Sequence, residues 1–487
     1  MLILQSNRGR PPFFSCEKPG TACILVPGIA GRAGACIVVK LETIGACREV
    51  GRSAFRLTSA EGDQIILDYG LSMKEDSKEN FPGDVEPRKI KAVICSHAHI
   101  DHSGALPYFY ISARPNCYMS AATRMLVKYL LDDMLNISGD KLPFEDIELK
   151  NLMRTIQIIN DYKASIKVPG MDAYFTFHDA GHIPGSVMTV VSIDGKNVLY
   201  TGDMNTIDTR IQWAAKLTKL PPIDAVIIES TYAKTVHPPR LETEQKFVQA
   251  INEVLDGGGQ VLIPAFGVAR SQEILSILQV YGLQRKKIIV DGMARDISTN
   301  LLKYQADLRS VYSIDKVTMV KTNHTRSDRQ KAMETGDIII APSGMLKGGT
   351  ARYYAENFLE DPKNALFLVS FQVPGTPGRV LLDEHRYELN PDEESYQMRL
   401  PPGAPRGAKV EIPVKARVEQ FPFSSHSDGP ALIAFLKTLP YNNNGSEPKI
   451  FCIHGDADNC EYLASTIAEQ IKGVTAIVPK MGDEFQV

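Results

Sequence analysis

Residues 96–104 read SHAHIDHSG, which sets His97, His99, Asp101 and His102 in one short turn of a chain with only ten histidines among 487 residues. The apolar run before it, KAVIC, reads as a strand, so His97 and His99, two apart in extended backbone, project to one face. Asp101 and His102 fall on the following turn, at the mouth of a helix expected to be capped by Ser103. The motif thus offers two ligand pairs, His97 with His99 and Asp101 with His102, for two metal ions close enough to share a hydroxide. A solvated polar turn is the plain alternative.

Zinc needs more ligands than this turn contains. Three further segments supply them: AGHIPGS (180–186) with His182, YTGDMN (200–205) with Asp203, a carboxylate able to bridge two ions, and CIHGDAD (452–458) with His454. Taken singly, each reads as an ordinary loop or strand-end residue. Together they share a pattern, in which apolar runs stop at an ionisable group: Asp68, His97, Asp203, Glu229 and His454. Strand ends along one edge of a sheet hold such groups rigidly, so the expectation is one site. Nitrogen and carboxylate ligands without thiolate suit zinc first, with manganese or iron as further options. Asp68 is assigned to orienting a ligand or the shared water.

Outward from the turn, residues 40–234 are β-rich, with short apolar runs such as QIILDYG, SVMTVVSI and DAVIIES and helical stretches at 121–134 and near 147–159. Beyond residue 234, helices alternate with buried-type strands (QVLIPAF, KKIIVDG, DIIIAPS, NALFLVSF), the rhythm of a parallel α/β sheet. The β-rich pattern returns at VEQFPFSS and KIFCIHG, and a helix over 459–472 follows. The α/β block therefore reads as inserted into the outer domain. The expected divisions are 1–38, an extension or mis-called start that is not part of the fold, then 39–234, 235–423 and 424–487.

A net charge of -3 excludes a protein that coats nucleic acid by bulk electrostatics, so any nucleic acid is held locally. No apolar run reaches the roughly eighteen residues that would span a membrane. Eight cysteines without C-x-x-C spacing argue against a zinc ribbon or a disulfide framework and for a reducing, cytoplasmic setting.

The motifs ETIGACREVGRS, LDYG, SHAHIDHSGALP, AGHIPGS, YTGDMN, IESTY, FSSHSD and IHGDAD occur in an order that resembles metallo-β-lactamase-fold nucleases with an inserted β-CASP domain. The resemblance, from about residue 40 onward, is to archaeal and bacterial relatives, without KH domains, of the endonuclease subunit of the cleavage and polyadenylation specificity factor. It implies an αββα sandwich carrying the metals, an α/β β-CASP block closing over them, two zinc ions per chain, and single-stranded RNA in the cleft between. It puts Glu229, His426 and His454 at three β-CASP motifs, and histidine at the third is typical of RNA-cleaving members. By resemblance, a hydroxide shared by two zinc ions attacks phosphorus. His426, held by Glu229, then protonates the leaving oxygen, giving 5′-phosphate and 3′-hydroxyl products. A buried histidine packing a helix start is the alternative for His426.

Arg270 in IPAFGVARSQE, Ser343 in PSGMLKGG and Arg379 in GTPGRVLL resemble phosphate-contacting segments. His237 resembles a position beside the site, although YAKTVH departs from the usual pattern there. Basic clusters at Arg326 and Arg329, and at Arg406, Lys409, Lys415 and Arg417, read as solvated faces or as an RNA path. The expectation is a ribonuclease of RNA processing or decay. A mainly 5′ to 3′ exonuclease, another metallo-β-lactamase-fold hydrolase and a catalytically silent scaffold are the alternatives. A homodimer and RNA-processing or exosome-type partners stay open.

Overall fold

The run QIILDY forms the strand Gln64–Tyr69, and all six of its residues are buried. Successive side chains of a strand point to opposite faces, so burial at every position requires packing on both sides. Ile65 and Leu67 face a second sheet, while Ile66 faces helices. The computed structural model describes residues 39–72, 80–310, 312–320, 326–391, 394–405 and 407–487. The segment 1–38, Arg406 and the side chain of Arg326 lie outside the described residues.

That strand is central in a seven-stranded sheet ordered Glu484–Gln486, Lys40–Thr43, Ala54–Thr58, Gln64–Tyr69, Ile90–Ile94, Asn116–Met119, Ile156–Ile158. A second seven-stranded sheet runs Thr475–Ile477, Lys449–Ile453, Ala225–Glu229, Lys196–Tyr200, Val187–Ile193, Ala173–Asp179, Ile166–Lys167. Both mix parallel and antiparallel pairs. Phe55, Leu57, Ile94, Phe175, Phe177, Val191, Ile227 and Phe451 fill the space between them. Each such buried side chain contributes about 1.5–3 kcal/mol. Helices Ala121–Ser138 and Asp146–Thr155 cover the outer face of the first sheet, and Gly429–Leu436 and Ala457–Gln470 that of the second. The layers are therefore αββα, as expected. Ser120 caps the first of these helices by accepting from Thr123 N at 3.0 Å.

The third sheet is wholly parallel: Val317–Met319, Ile288–Val290, Ile338–Ala341, Val261–Pro264, Ala365–Leu368, Arg417–Gln420. Helices Arg240–Asp256, Arg270–Val280 and Met293–Leu301 pack on one face, Thr350–Phe358 and Pro377–Glu384 on the other. The chain makes this block between two neighbouring strands of the second sheet, since Ala225–Glu229 pairs in parallel with Lys449–Ile453. Loops after three adjacent strands of the block meet at one place. A Cβ on Gly344 would lie 3.0 Å from Ser370 Oγ and 3.2 Å from Phe266 N.

Three local expectations are corrected. The helix expected near 147–159 ends at Thr155, and Ile156–Ile158 is an edge strand parallel to Asn116–Met119, in keeping with its β-branched run. Ser103 does not cap a helix. It closes the short helix Ile100–Ser103, whose N-cap is His99, and its hydroxyl donates to Ala98 O at 2.8 Å. The ionisable strand ends do not lie along the edge of one sheet either: Asp68 and His97 come from the first sheet, and Asp203, Glu229 and His454 from the second.

Candidate metal centre and active site

Two glycines let these ends approach. A Cβ on Gly70 would sit 1.8 Å from Asp101 O, and one on Gly202, where φ is +53°, would sit 2.8 Å from Ser96 Cβ. The turn bearing the histidines is thus pressed directly against the backbone that follows Asp68 and the backbone that precedes Asp203. Asp68 and His454 themselves have φ of 56° and 50°, a left-handed conformation that L residues adopt at a cost and keep where surroundings over-determine it.

The side chains gather into two sets. His99 Nδ1 lies 3.2 Å from His97 Nε2 and 3.1 Å from His182 Nε2. Asp203 Oδ2 completes that set at 3.6 Å from His97 Nε2 and 3.7 Å from His182 Nε2. Tetrahedral zinc with bonds of about 2.0–2.1 Å separates its ligands by about 3.3–3.4 Å, so this quartet fits the ion. In the second set, His454 Nε2 is 3.3 Å from Asp101 Oδ2, and His102 Nε2 is 3.3 Å from Asp203 Oδ1. Asp203 reaches both sets, one oxygen to each. Its Oδ1 is buried with no well-aligned donor, the His102 and His454 nitrogens lying at 3.3 and 3.1 Å, a state that a cation would relieve.

The rings are held from behind. Asp68 Oδ2 takes His102 Nδ1 at 2.7 Å, the Tyr200 hydroxyl at 2.6 Å and the Ser96 hydroxyl at 2.6 Å, while Oδ1 takes Ser96 N. Ser96 Oγ is in turn 3.0 Å from His97 Nδ1, so one carboxylate orients a ring in each set. His182 Nδ1 donates to the Ser425 carbonyl at 2.8 Å. Burial pushes His97 and His182 well below the usual imidazole range and His99 to about 4, so their lone pairs are free. His102 goes the other way: burial pushes it down, but the Asp203 and Asp68 carboxylates outweigh that and lift it well above. Burial works to raise the Asp203 carboxyl, and the His454, His102 and His426 rings outweigh it, holding it well below its ordinary value.

Next to the first set stands His426, its Nδ1 2.8 Å from Glu229 Oε2 and its Nε2 3.9 Å from Asp203 Oδ2. Glu229 is fixed by Met204 N at 2.6 Å and the Thr231 hydroxyl at 2.6 Å. Burial lowers His426, yet Glu229 and Asp203 overcome it and raise the ring to about 9. A protonated imidazole is therefore aimed at the metal pocket, where it can give up a proton.

Arg270 begins a helix of the inserted block, with one terminal nitrogen 3.3 Å from Ser425 Oγ, while its buried Nε and Nη1 have no hydrogen-bond partner. Burial and Arg240 lower its pKa to about 10, leaving it cationic at neutral pH. Ser343 lies in the loop after Ile338–Ala341, its Oγ accepting from Gly348 N at 3.3 Å. Arg379 is on an exposed face, 2.6 Å from Asp383. His237 packs on Tyr232 with ring centroids 4.8 Å apart, and its buried Nε2 lacks a partner. Arg329 pairs with Asp291, Lys409 with Glu388, and Arg417 with Glu253 and Glu419. Several residues at the site were not foreseen: Ser96, Tyr200, Thr231, and a bridge between the sandwich and the inserted block. In that bridge Glu273 accepts from Arg210 N at 2.9 Å and Ile211 N at 3.0 Å and pairs with Arg240, and Arg210 pairs with Glu244. Tyr200 carried a signal, a hydroxyl just before the TGD of a strand end; the bridge carried none.

Among known proteins, the Metallo-beta-lactamase superfamily matches residues 51–244, the Beta-Casp domain 271–381, and the Zn-dependent metallo-hydrolase RNA specificity domain 411–479. RNase aCSPSF2 of Saccharolobus solfataricus is 36% identical over 450 residues, spanning 92% of this chain and 85% of the relative. Probable RNase MJ4 of Methanocaldococcus jannaschii is 33% identical, spanning 91% and 99%. Transcription termination factor FttA of Methanosarcina mazei is 30% identical, spanning 89% and 69%. A crystal structure of a protein of unknown function from Enterococcus faecalis V583 shares the fold at a TM-score of 0.56 and 14% identity, over 92% of this chain and 100% of that one. With three matched domains in this order and an approach of ligand side chains suited to a cation, the chain belongs to the β-CASP group of metallo-β-lactamase-fold, metal-dependent hydrolases.

Proposed function

We propose that the chain is a zinc-dependent ribonuclease that hydrolyses phosphodiester bonds of single-stranded RNA, leaving 5′-phosphate and 3′-hydroxyl ends. The observation that carries this reading is His426, held by Glu229 with its free nitrogen 3.9 Å from Asp203, a proton donor facing a cation pocket. The names of the relatives, RNases among them, support RNA as the substrate. His97, His99, His182 and Asp203 would hold one zinc ion, and Asp101, His102, His454 and Asp203 a second. Bound zinc would supply Lewis-acid charge and a water acidic enough to act as nucleophile near neutral pH.

The chain's own residues do the rest. His426 passes its proton to the departing 3′ oxygen, and Glu229 keeps the ring charged and turned toward it. Arg270, with two donors unspent, binds a substrate phosphate, Ser343 and its glycine-flanked loop offer further donors, and Arg379 joins them once freed from Asp383. Asp68 positions His102 and His97. Residues 39–234 and 424–487 make the sandwich, 235–423 make the inserted block, and the enzyme works in the cytoplasm.

Labelled linear and circular single-stranded RNA with the purified protein tests this. Zinc-dependent cleavage with 5′-phosphate products, abolished by His97→Ala, is the expected result, and opening of the circle identifies internal cutting. RNA left intact by a zinc-loaded protein would overturn the reading.

A further inference from the structure

Phe371 is 53% exposed although it stands in the loop after Ala365–Leu368, an interior strand of the inserted block's sheet. Its ring is 6.2 Å from that of Tyr232, at an interplanar angle of 87°. Tyr232 belongs to the sandwich and lies 5.8 Å, ring to ring, from His426. A row of three rings thus crosses from one part of the molecule to the other and ends beside the proton donor. On the next strand of the sheet, Phe266 is 37% exposed in the corresponding loop, and Val373 is 42% exposed just beyond Phe371. Aromatic and aliphatic surface left open beside a buried arginine with two unspent donors and a cation pocket matches a nucleotide, which is an apolar ring joined to an anion.

From this placement we infer that Phe371 is the stacking surface for a nucleobase, and that the base belongs to the nucleotide immediately 5′ of the bond cut. The inference rests on the ribonuclease reading above. Its direction follows from the chemistry of that reaction. The oxygen that accepts the proton of His426 is the 3′ oxygen of the upstream ribose. The nucleotide nearest His426 is therefore the upstream one, and the rings of Tyr232 and Phe371 extend from His426 outward. Stacking of a base on an aromatic side chain is indifferent to sequence, because every base presents a π face. Phe371 accordingly acts in binding and placing the leaving nucleotide, and it makes no contribution to proton transfer.

The test uses short RNAs with one cleavable phosphodiester, every other linkage being methylphosphonate, and with an abasic ribose placed either just 5′ or just 3′ of that bond. With all bases present, Phe371→Ala is expected to raise KM about tenfold. Phe371→Trp is expected to restore it. With the 5′ abasic RNA, the wild-type and alanine proteins should have equal KM; with the 3′ abasic RNA, the tenfold gap should persist. A gap that survives removal of the 5′ base, or that vanishes only on removal of the 3′ base, overturns the assignment. A wild-type protein that leaves the all-phosphodiester form of the fully based RNA uncut sinks the ribonuclease reading itself and the assignment with it. Cleavage of that RNA by wild type separates the two failures.

Discussion

The metal-ligand cluster and the loops of the inserted block beside it are built on opposite plans. Behind the cluster the rings are anchored: Asp68 accepts four hydrogen bonds, and His182 and His426 each have one nitrogen held. In the loops, Arg270 keeps two buried donors unpaired and Phe371 stands open to solvent. The first plan fixes geometry before anything binds, and the second leaves capacity that the proposed RNA substrate would fill. An unpaired buried donor costs about 1–3 kcal/mol, so Arg270 adds to the cost in stability that the left-handed Asp68 and His454 already carry.

The sharpest way to break this contrast is His426→Ala, which removes the proton donor while leaving both ligand sets in place. Turnover of RNA is expected to fall by about 10²–10⁴-fold with zinc content unchanged, measured as kcat beside metal analysis. The same residue fixes the alkaline limb. Against burial, Glu229 holds its pKa above the ordinary imidazole value, the protonated form is the active one, and so activity declines as pH rises through that raised pKa. Glu229→Gln withdraws the charge that raises the ring and should move that limb to lower pH.

Asp68→Asn probes the pocket from behind. Its amide would turn a donor toward groups that already donate, and zinc affinity is expected to drop about 10–100-fold, read by competition with a chelator. In the inserted block, Arg270→Ala should raise KM for RNA about tenfold with zinc affinity unaltered. If Arg270→Ala also released zinc, the two regions would not be the separate systems described here.

Much of the pocket was legible because its ligands advertise themselves. H-x-H-x-D-H is a local pattern, and Asp203 and His454 each follow an apolar strand that stops abruptly. The inserted parallel sheet could likewise be read from the change of rhythm near residue 234, whereas the αββα layering came from the resemblance, and the strand Arg417–Gln420, read as the return of the outer pattern, pairs with Ala365–Leu368 in the inserted sheet instead. What escaped was the meeting of two different sheets at one site, because a strand end does not record which sheet it belongs to. The Ser425 carbonyl that holds His182 was invisible for a related reason: a backbone group leaves no mark in a sequence. The bridge from Glu273 to the backbone of Arg210 and Ile211 spans more than sixty positions and has no period to betray it.

The parallel pairing of Ala225–Glu229 with Lys449–Ile453 also bears on how the protein is made. Synthesis runs from the amino end, so a growing chain lays down Asp203 and the histidine turn while the neighbouring strand does not yet exist. The whole β-CASP block must emerge before that strand can dock and deliver His454, and such distant pairing is slow to form. A half-made copy consequently lacks both His426 and His454, so the site is completed only by the last part of the chain to be made.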